Sequence, residues 1–129
     1  MNKKRIDTKK APTAIGPYSQ AIGIENFKQI YFFSGQIAIR PESGNIESNQ
    51  IKDQAKQVME NIGSLLKEVN ADYSNIVKTT IFLKDLKDFA IVNETYAGYF
   101  SGSPPARSTV EVSRLPKDAL IEIESIVVL

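Results

Sequence analysis

The chain contains no cysteine and no histidine among its 129 residues. Without cysteine there is no disulfide framework, no thiol nucleophile and no thiolate metal site. Without histidine there is no serine–histidine triad and no imidazole for acid–base work. Together the two absences remove the best ligands of a transition-metal site. An excess of one charge sign is missing too. The 16 Lys and Arg residues offset 15 Asp and Glu, for a net charge of +1, so no strong field draws nucleic acid or an anionic membrane. No apolar run approaches the length of a membrane span. The basic opening MNKKRIDTKK lacks the apolar stretch of a signal peptide, so a cytoplasmic location is expected. Any catalysis must come from carboxylates, Arg, Lys, Tyr, Ser, Thr, backbone amides and water.

What is present is the profile of a soluble globular protein, 42% hydrophobic and 24% charged. The length suits one domain with one core. Residues 1–129 read as that domain, with about 1–13 a polar, partly mobile segment. Gly16-Pro17 marks a turn before a strand in AIGPYSQAIGI. In FKQIYFFSGQIAIR, Ser34-Gly35 interrupts a strand pattern, which suggests a bulge or a close backbone approach. A helix follows over roughly 48–69, where Ile51, Ala55, Val58, Ile62, Leu65 and Val69 recur at three- and four-residue steps. IVKTTIFL reads as a strand. A second helix covers roughly 88–100, with Asp88 as its N-cap. Two strands close the chain. The order β-β-α-β-α-β-β predicts an α+β sandwich.

Two helices can cover only one face of such a sheet. The strands nevertheless carry apolar residues on both sides: Ile121, Ile123 and Val127 on one, Ile126 and Val128 on the other. An open apolar face of this size marks an interface, and a homo-oligomer is the expectation.

Charges inside the last two strands need an explanation. Arg107, Thr109 and Glu111 alternate onto one side of their strand, and Glu122 and Glu124 onto one side of theirs. Glu111 and Glu124 suit solvated or ion-paired edge positions. Arg107 and Glu122 suit either a structural salt bridge or a pair that meets a ligand. Asn93 shares a helix face with Phe89, Tyr96 and Phe100. Its amide either bonds a loop carbonyl or faces a ligand. Tyr18 and Ser34-Gly35 have equally plain readings as packing and as a bulge. The N-terminal Lys3, Lys4, Arg5, Lys9 and Lys10 read as a solvated terminus rather than a nucleic-acid arm.

Taken together, AIGPYSQA, FFSGQIA, IVKTTIFLKDLKDFAIVNETY and PPARSTVEVSRLPKDALIEIES resemble the RidA (YjgF) family of enamine/imine deaminases. The resemblance runs from about Ala11 to Val128. It implies a chorismate-mutase-like sandwich, one mixed sheet with two helices on one face, assembled as a homotrimer with clefts between subunits. The implied reaction is hydrolysis of 2-iminobutanoate and 2-iminopropanoate to 2-keto acids and ammonia, with no metal and no cofactor. Such imines arise from pyridoxal-phosphate dehydratases acting on threonine and serine. The resemblance assigns Arg107 to the substrate carboxylate and Glu122 to the attacking water. It places Tyr18, Ser34, Gly35 and Asn93 along the cleft. Thr109 also falls there, at a position where the family commonly has Cys; a backbone contact survives that change, a thiol role does not. Two rivals stand beside this reading. One is a non-catalytic binding module for a keto acid or similar metabolite. The other is RNA binding or cleavage, a label some relatives carry, against which the neutral charge and the missing histidine argue.

Overall fold

The computed structural model describes residues 1–129. Its centre is a four-stranded sheet in the order β3 (Ile30–Gln36), β8 (Ile121–Val128), β6 (Ile76–Leu83) and β7 (Ala106–Glu111). β8 runs antiparallel to both β3 and β6, while β6 and β7 are parallel, so the sheet is mixed. The parallel pair needs a crossover, and α2 (Phe89–Ala97) supplies it. α1 (Ile51–Glu68) connects the first half of the chain to β6. A two-strand ladder, β4 (Ile39–Arg40) with β5 (Asn45–Ile46), precedes it.

Periodicity explains the layering. Ile51, Ala55, Val58, Ile62 and Leu66 form the buried stripe of α1, with Met59 beside it. Val92 and Tyr96 are the buried residues of α2. They meet Ile81, Leu83, Ile121, Ile123 and Val127 of the sheet in one core cluster. Leu66 rather than Leu65 completes the stripe, because the turn after Ile62 brings it inward. Both helices lie on one face, as the sequence implied.

The other face is open in the single chain. Phe32 is 77% exposed, and Ile30 and Val110 stand out with it. Val128, expected there, is fully buried instead, under the C-terminal register shift between β6 and β8. No helix is long and apolar enough to cross a membrane.

Two local expectations change. Residues 2–6, expected as part of a polar and partly mobile segment, form β1 (Asn2–Ile6), paired antiparallel with β2 (Ala21–Glu25). The reason is Lys3, whose ammonium donates to the carbonyls of Ser74, Ile76 and Ser103 at 3.1–3.4 Å. The stem of Lys3 lies against the fold while its head replaces water at three backbone acceptors. Burial lowers its pKa from the usual lysine value. The second change concerns α2. Asp88 occupies the N-cap but makes no capping bond, and Asp85 caps the preceding 3-10 turn by accepting the Lys87 N–H.

Candidate active site

Arg107 lies on β7, directly beside Thr79 of β6. Thr79 is buried and bonded to Tyr96 of α2, so Arg107 points to the helix side of the sheet. Its guanidinium carbon sits 5.2 Å from the Tyr18 ring centroid, 5.6 Å from Phe89 and 5.3 Å from Tyr96. All three distances are within cation–π range. Arg107 Nη1 donates to Asn93 Oδ1 at 2.9 Å. The ion pairs of the chain join Arg5 to Asp7, Arg40 to Glu42 and Glu47, and Arg114 to Asp118. Arg107 therefore has no carboxylate partner. Burial lowers its pKa, while the nearby Tyr96 and Tyr18 act in the opposite direction. A partly desolvated cation with most of its donor fork unused is ready to donate to a planar anion.

Local structure fixes the partners of this arginine. Tyr18 arrives from a tight turn, its N–H bonded to the Gly16 carbonyl at 2.8 Å. The next residue, Ser19, bonds Pro104 and Pro105 carbonyls and bridges Ala106, which ties the turn to β7. Gly16 packs so closely that a Cβ would stand 3.2 Å from Arg107 Nη2. Phe89, Asn93 and Tyr96 present three successive turns of α2 to the same guanidinium.

Glu122 stands elsewhere. It pairs across β8–β6 with Phe82, one residue out of phase with the inward Ile81 and Leu83, so it projects from the open face. Its carboxylate lies over Gly35, where any Cβ would overlap it. The β3–β8 register breaks between Phe33 and Gln36, so Ser34-Gly35 is both a bulge and a close approach. Ser34 and Gly35 are exposed beside this carboxylate.

The predicted residues thus form two clusters: Arg107, Asn93 and Tyr18 on the helix side, and Glu122, Ser34 and Gly35 on the open side. β8 and β7 are separated by β6, so the two charges are also about 10 Å apart along the sheet from strand spacing alone. The salt-bridge reading of the pair is excluded within the chain. Asn93 bonds no loop carbonyl; its carbonyl oxygen accepts from Arg107, which puts its amide beside the guanidinium. Thr109 lies on the Arg107 side, and its hydroxyl is buried with no partner. Glu111 is structural: its carboxylate accepts the Leu86 N–H at 2.9 Å and holds the turn before α2. Glu124 is exposed. Phe89 and Tyr96 went unread as site residues. Their one-turn spacing around Asn93 was the available signal. A concavity of about 360 Å³ between Arg40, Glu47, Asp53 and Gln57 touches neither cluster.

Comparison with known proteins places this geometry. Residues 8–129 match the Endoribonuclease L-PSP family. The Reactive Intermediate Deaminase A, chloroplastic, of Arabidopsis thaliana is 50% identical over 129 residues, covering 100% of this chain and 67% of that protein. The 2-iminobutanoate/2-iminopropanoate deaminase of Mus musculus is 44% identical over 126 residues, covering 98% and 91%. The crystal structure of the Rid-family protein YyfA from Yersinia pestis superposes with a TM-score of 0.76 at 50% identity, covering 99% of this chain and 100% of that one. With one mixed sheet, two helices on one face and a match across nearly its whole length, this chain belongs to the Endoribonuclease L-PSP family, whose relatives here carry the Rid name.

Proposed function

We propose that this protein hydrolyses small 2-imino acids, such as 2-iminobutanoate and 2-iminopropanoate, to 2-keto acids and ammonia. The observation that carries the reading is Arg107: it is partly buried, ringed by aromatics, bonded only to a neutral amide and unpaired with any carboxylate. A relative 44% identical is named a 2-iminobutanoate/2-iminopropanoate deaminase and one 50% identical a Reactive Intermediate Deaminase, which agrees with it.

The site is completed between subunits of a homotrimer. Arg107, Asn93 and Tyr18 come from one copy, and Glu122, Ser34 and Gly35 from the next. The open sheet face, with Phe32 exposed on its edge strand and Glu122 on the neighbouring one, supports that assembly. Arg107 binds the substrate carboxylate by a two-pronged hydrogen bond. The imine carbon is thereby fixed opposite Glu122, and proximity supplies much of the rate. Glu122 accepts a proton from water as the oxygen attacks the C=N carbon. Glu122 hands that proton to the imine nitrogen to give the carbinolamine, then takes the hydroxyl proton and passes it to the same nitrogen, so the C–N bond breaks and ammonia leaves as the carbonyl forms. The attacking water supplies both protons that the nitrogen gains, Glu122 carries them, and Arg107 stays protonated on the substrate carboxylate.

We also read residues 1–129 as one domain acting in the cytoplasm. The pairing of β1 with β2 and the Lys3 contacts to 74–76 and 103 support the first part. The deciding experiment generates the imine with a threonine dehydratase, with and without this protein, and follows ammonia release. No acceleration would remove the enzymatic reading and leave a keto-acid-binding module. RNA retention that weakens with salt would favour the nucleic-acid alternative.

A further inference from the structure

We infer that Tyr96, anchored by Thr79, is a positioning residue for Arg107: it holds the guanidinium plane so that the donors not used by Asn93 face an incoming carboxylate. The inference rests on the carboxylate-clamp reading above and deepens it. An arginine has five N–H donors and a long flexible stem. A carboxylate neighbour would hold that stem, but it would also occupy the fork and repel an anionic substrate. Aromatic faces hold it without consuming a single N–H. Of the three rings around Arg107, only Tyr96 is fully buried, at 1% exposure. Tyr18 and Phe89 are half-buried.

Tyr96 is also the only one of the three whose side chain is hydrogen-bonded to the sheet. Its hydroxyl meets Thr79 Oγ1 at 2.9 Å in a buried bond. Thr79 is the cross-strand neighbour of Arg107, so the residue that anchors the ring and the residue that carries the guanidinium share one register position. Tyr96 also packs against Phe100, with ring centroids 4.7 Å apart and the planes tilted by 51°. The ring is therefore held at its hydroxyl and by Phe100 while it lies beside the cation. A core tyrosine needed only for volume would not require its hydroxyl at that place.

Tyr96→Phe and Thr79→Val each remove the anchor while keeping shape, and the double variant removes both hydroxyls. Loss of one buried hydrogen bond should raise the KM for imine and the Kd for 2-ketobutyrate about fivefold in each single variant, with kcat within about twofold of wild type. The double variant should match either single one, because the two hydroxyls act as one unit. Thr79→Ser keeps a hydroxyl and should keep the wild-type KM. Suppose the wild type is active and binds 2-ketobutyrate, but both single variants lower only the melting temperature. The bond is then core packing alone, and the positioning role is overturned while the proposed function stands. Effects that multiply in the double variant would likewise overturn it. A wild type that neither releases ammonia nor binds 2-ketobutyrate removes the clamp itself, and the positioning role with it.

Discussion

Arg107 and Glu122 are both charged strand residues, yet they sit in opposite circumstances. Arg107 is partly desolvated among three rings, and its one strong bond goes to Asn93. Glu122 lies against glycine backbone on the open face. They should therefore fail in different ways. Lysine at 107 offers a point charge without the planar fork. Arg107→Lys should stay folded and lose affinity for 2-ketobutyrate by about tenfold or more, the scale of one charge-assisted hydrogen bond. Glu122→Gln keeps its shape but cannot take a proton, so kcat should fall about a hundredfold or more while keto-acid binding persists. Calorimetry beside the coupled ammonia assay reads both. Near-full activity in Arg107→Lys would remove the clamp assignment. Spacing alone left these residues open between a salt bridge and a site, and only the motif resemblance decided it. Phe89 and Tyr96 stayed hidden because an aromatic at helical spacing looks like core, which Tyr96 also is.

Elements were legible where one physical signal dominated. The stripe of α1 and the β-branched runs of β6 and β8 declare their periods in the sequence. β1 did not, because Asn2–Ile6 is mostly charged and its stability comes from contacts about 70 to 100 residues away. Lys3→Met tests this. It keeps the stem and deletes three donors, so it should cost about 1–2 kcal/mol, discounted for the solvent that still reaches the site. Amide exchange in β1 should rise with it. Unchanged exchange would mean that pairing with β2 suffices. α2 carries a separate expectation at high pH. Burial pushes the Tyr96 phenol up to about 12, against about 10 in the unfolded chain. The unfolded state therefore releases this proton first. The stability tied to the neutral phenol is complete below pH 10 and falls as pH rises towards 12. Tyr73, also raised to about 12 by burial and by Glu60, acts in the same direction. Denaturant midpoints at about pH 9 and 11 should show the loss, and Tyr96→Phe should flatten it. An equally steep fall in Tyr96→Phe would assign the effect to other groups.

At the scale of the whole molecule, the sheet separates what the reaction must join. Arg107 faces the helices and Glu122 faces away from them, with β6 between their strands. No side-chain rotation within one chain brings them around the same small substrate. In the proposed assembly a second copy seated on the open face does so, and the exposed Phe32, Ile30 and Val110 would give it an apolar footing. Phe32→Glu should accordingly dissociate the assembly and abolish activity while each chain stays folded. Subunit mixing makes the sharper test. Arg107→Ala and Glu122→Gln should each be inactive alone, since every cleft in either assembly lacks one partner. Co-refolded in equal amounts, they form mixed rings. A cleft works only where the Arg107 side comes from the Glu122→Gln chain and the Glu122 side from the Arg107→Ala chain. Random assembly in a closed ring puts that combination in about one quarter of the clefts, so about one quarter of wild-type activity should return. A site built within one chain would recover none, because no chain in the mixture carries both groups. Activity that rises only after co-refolding, and not on simple mixing of stable assemblies, ties the recovery to exchange of subunits.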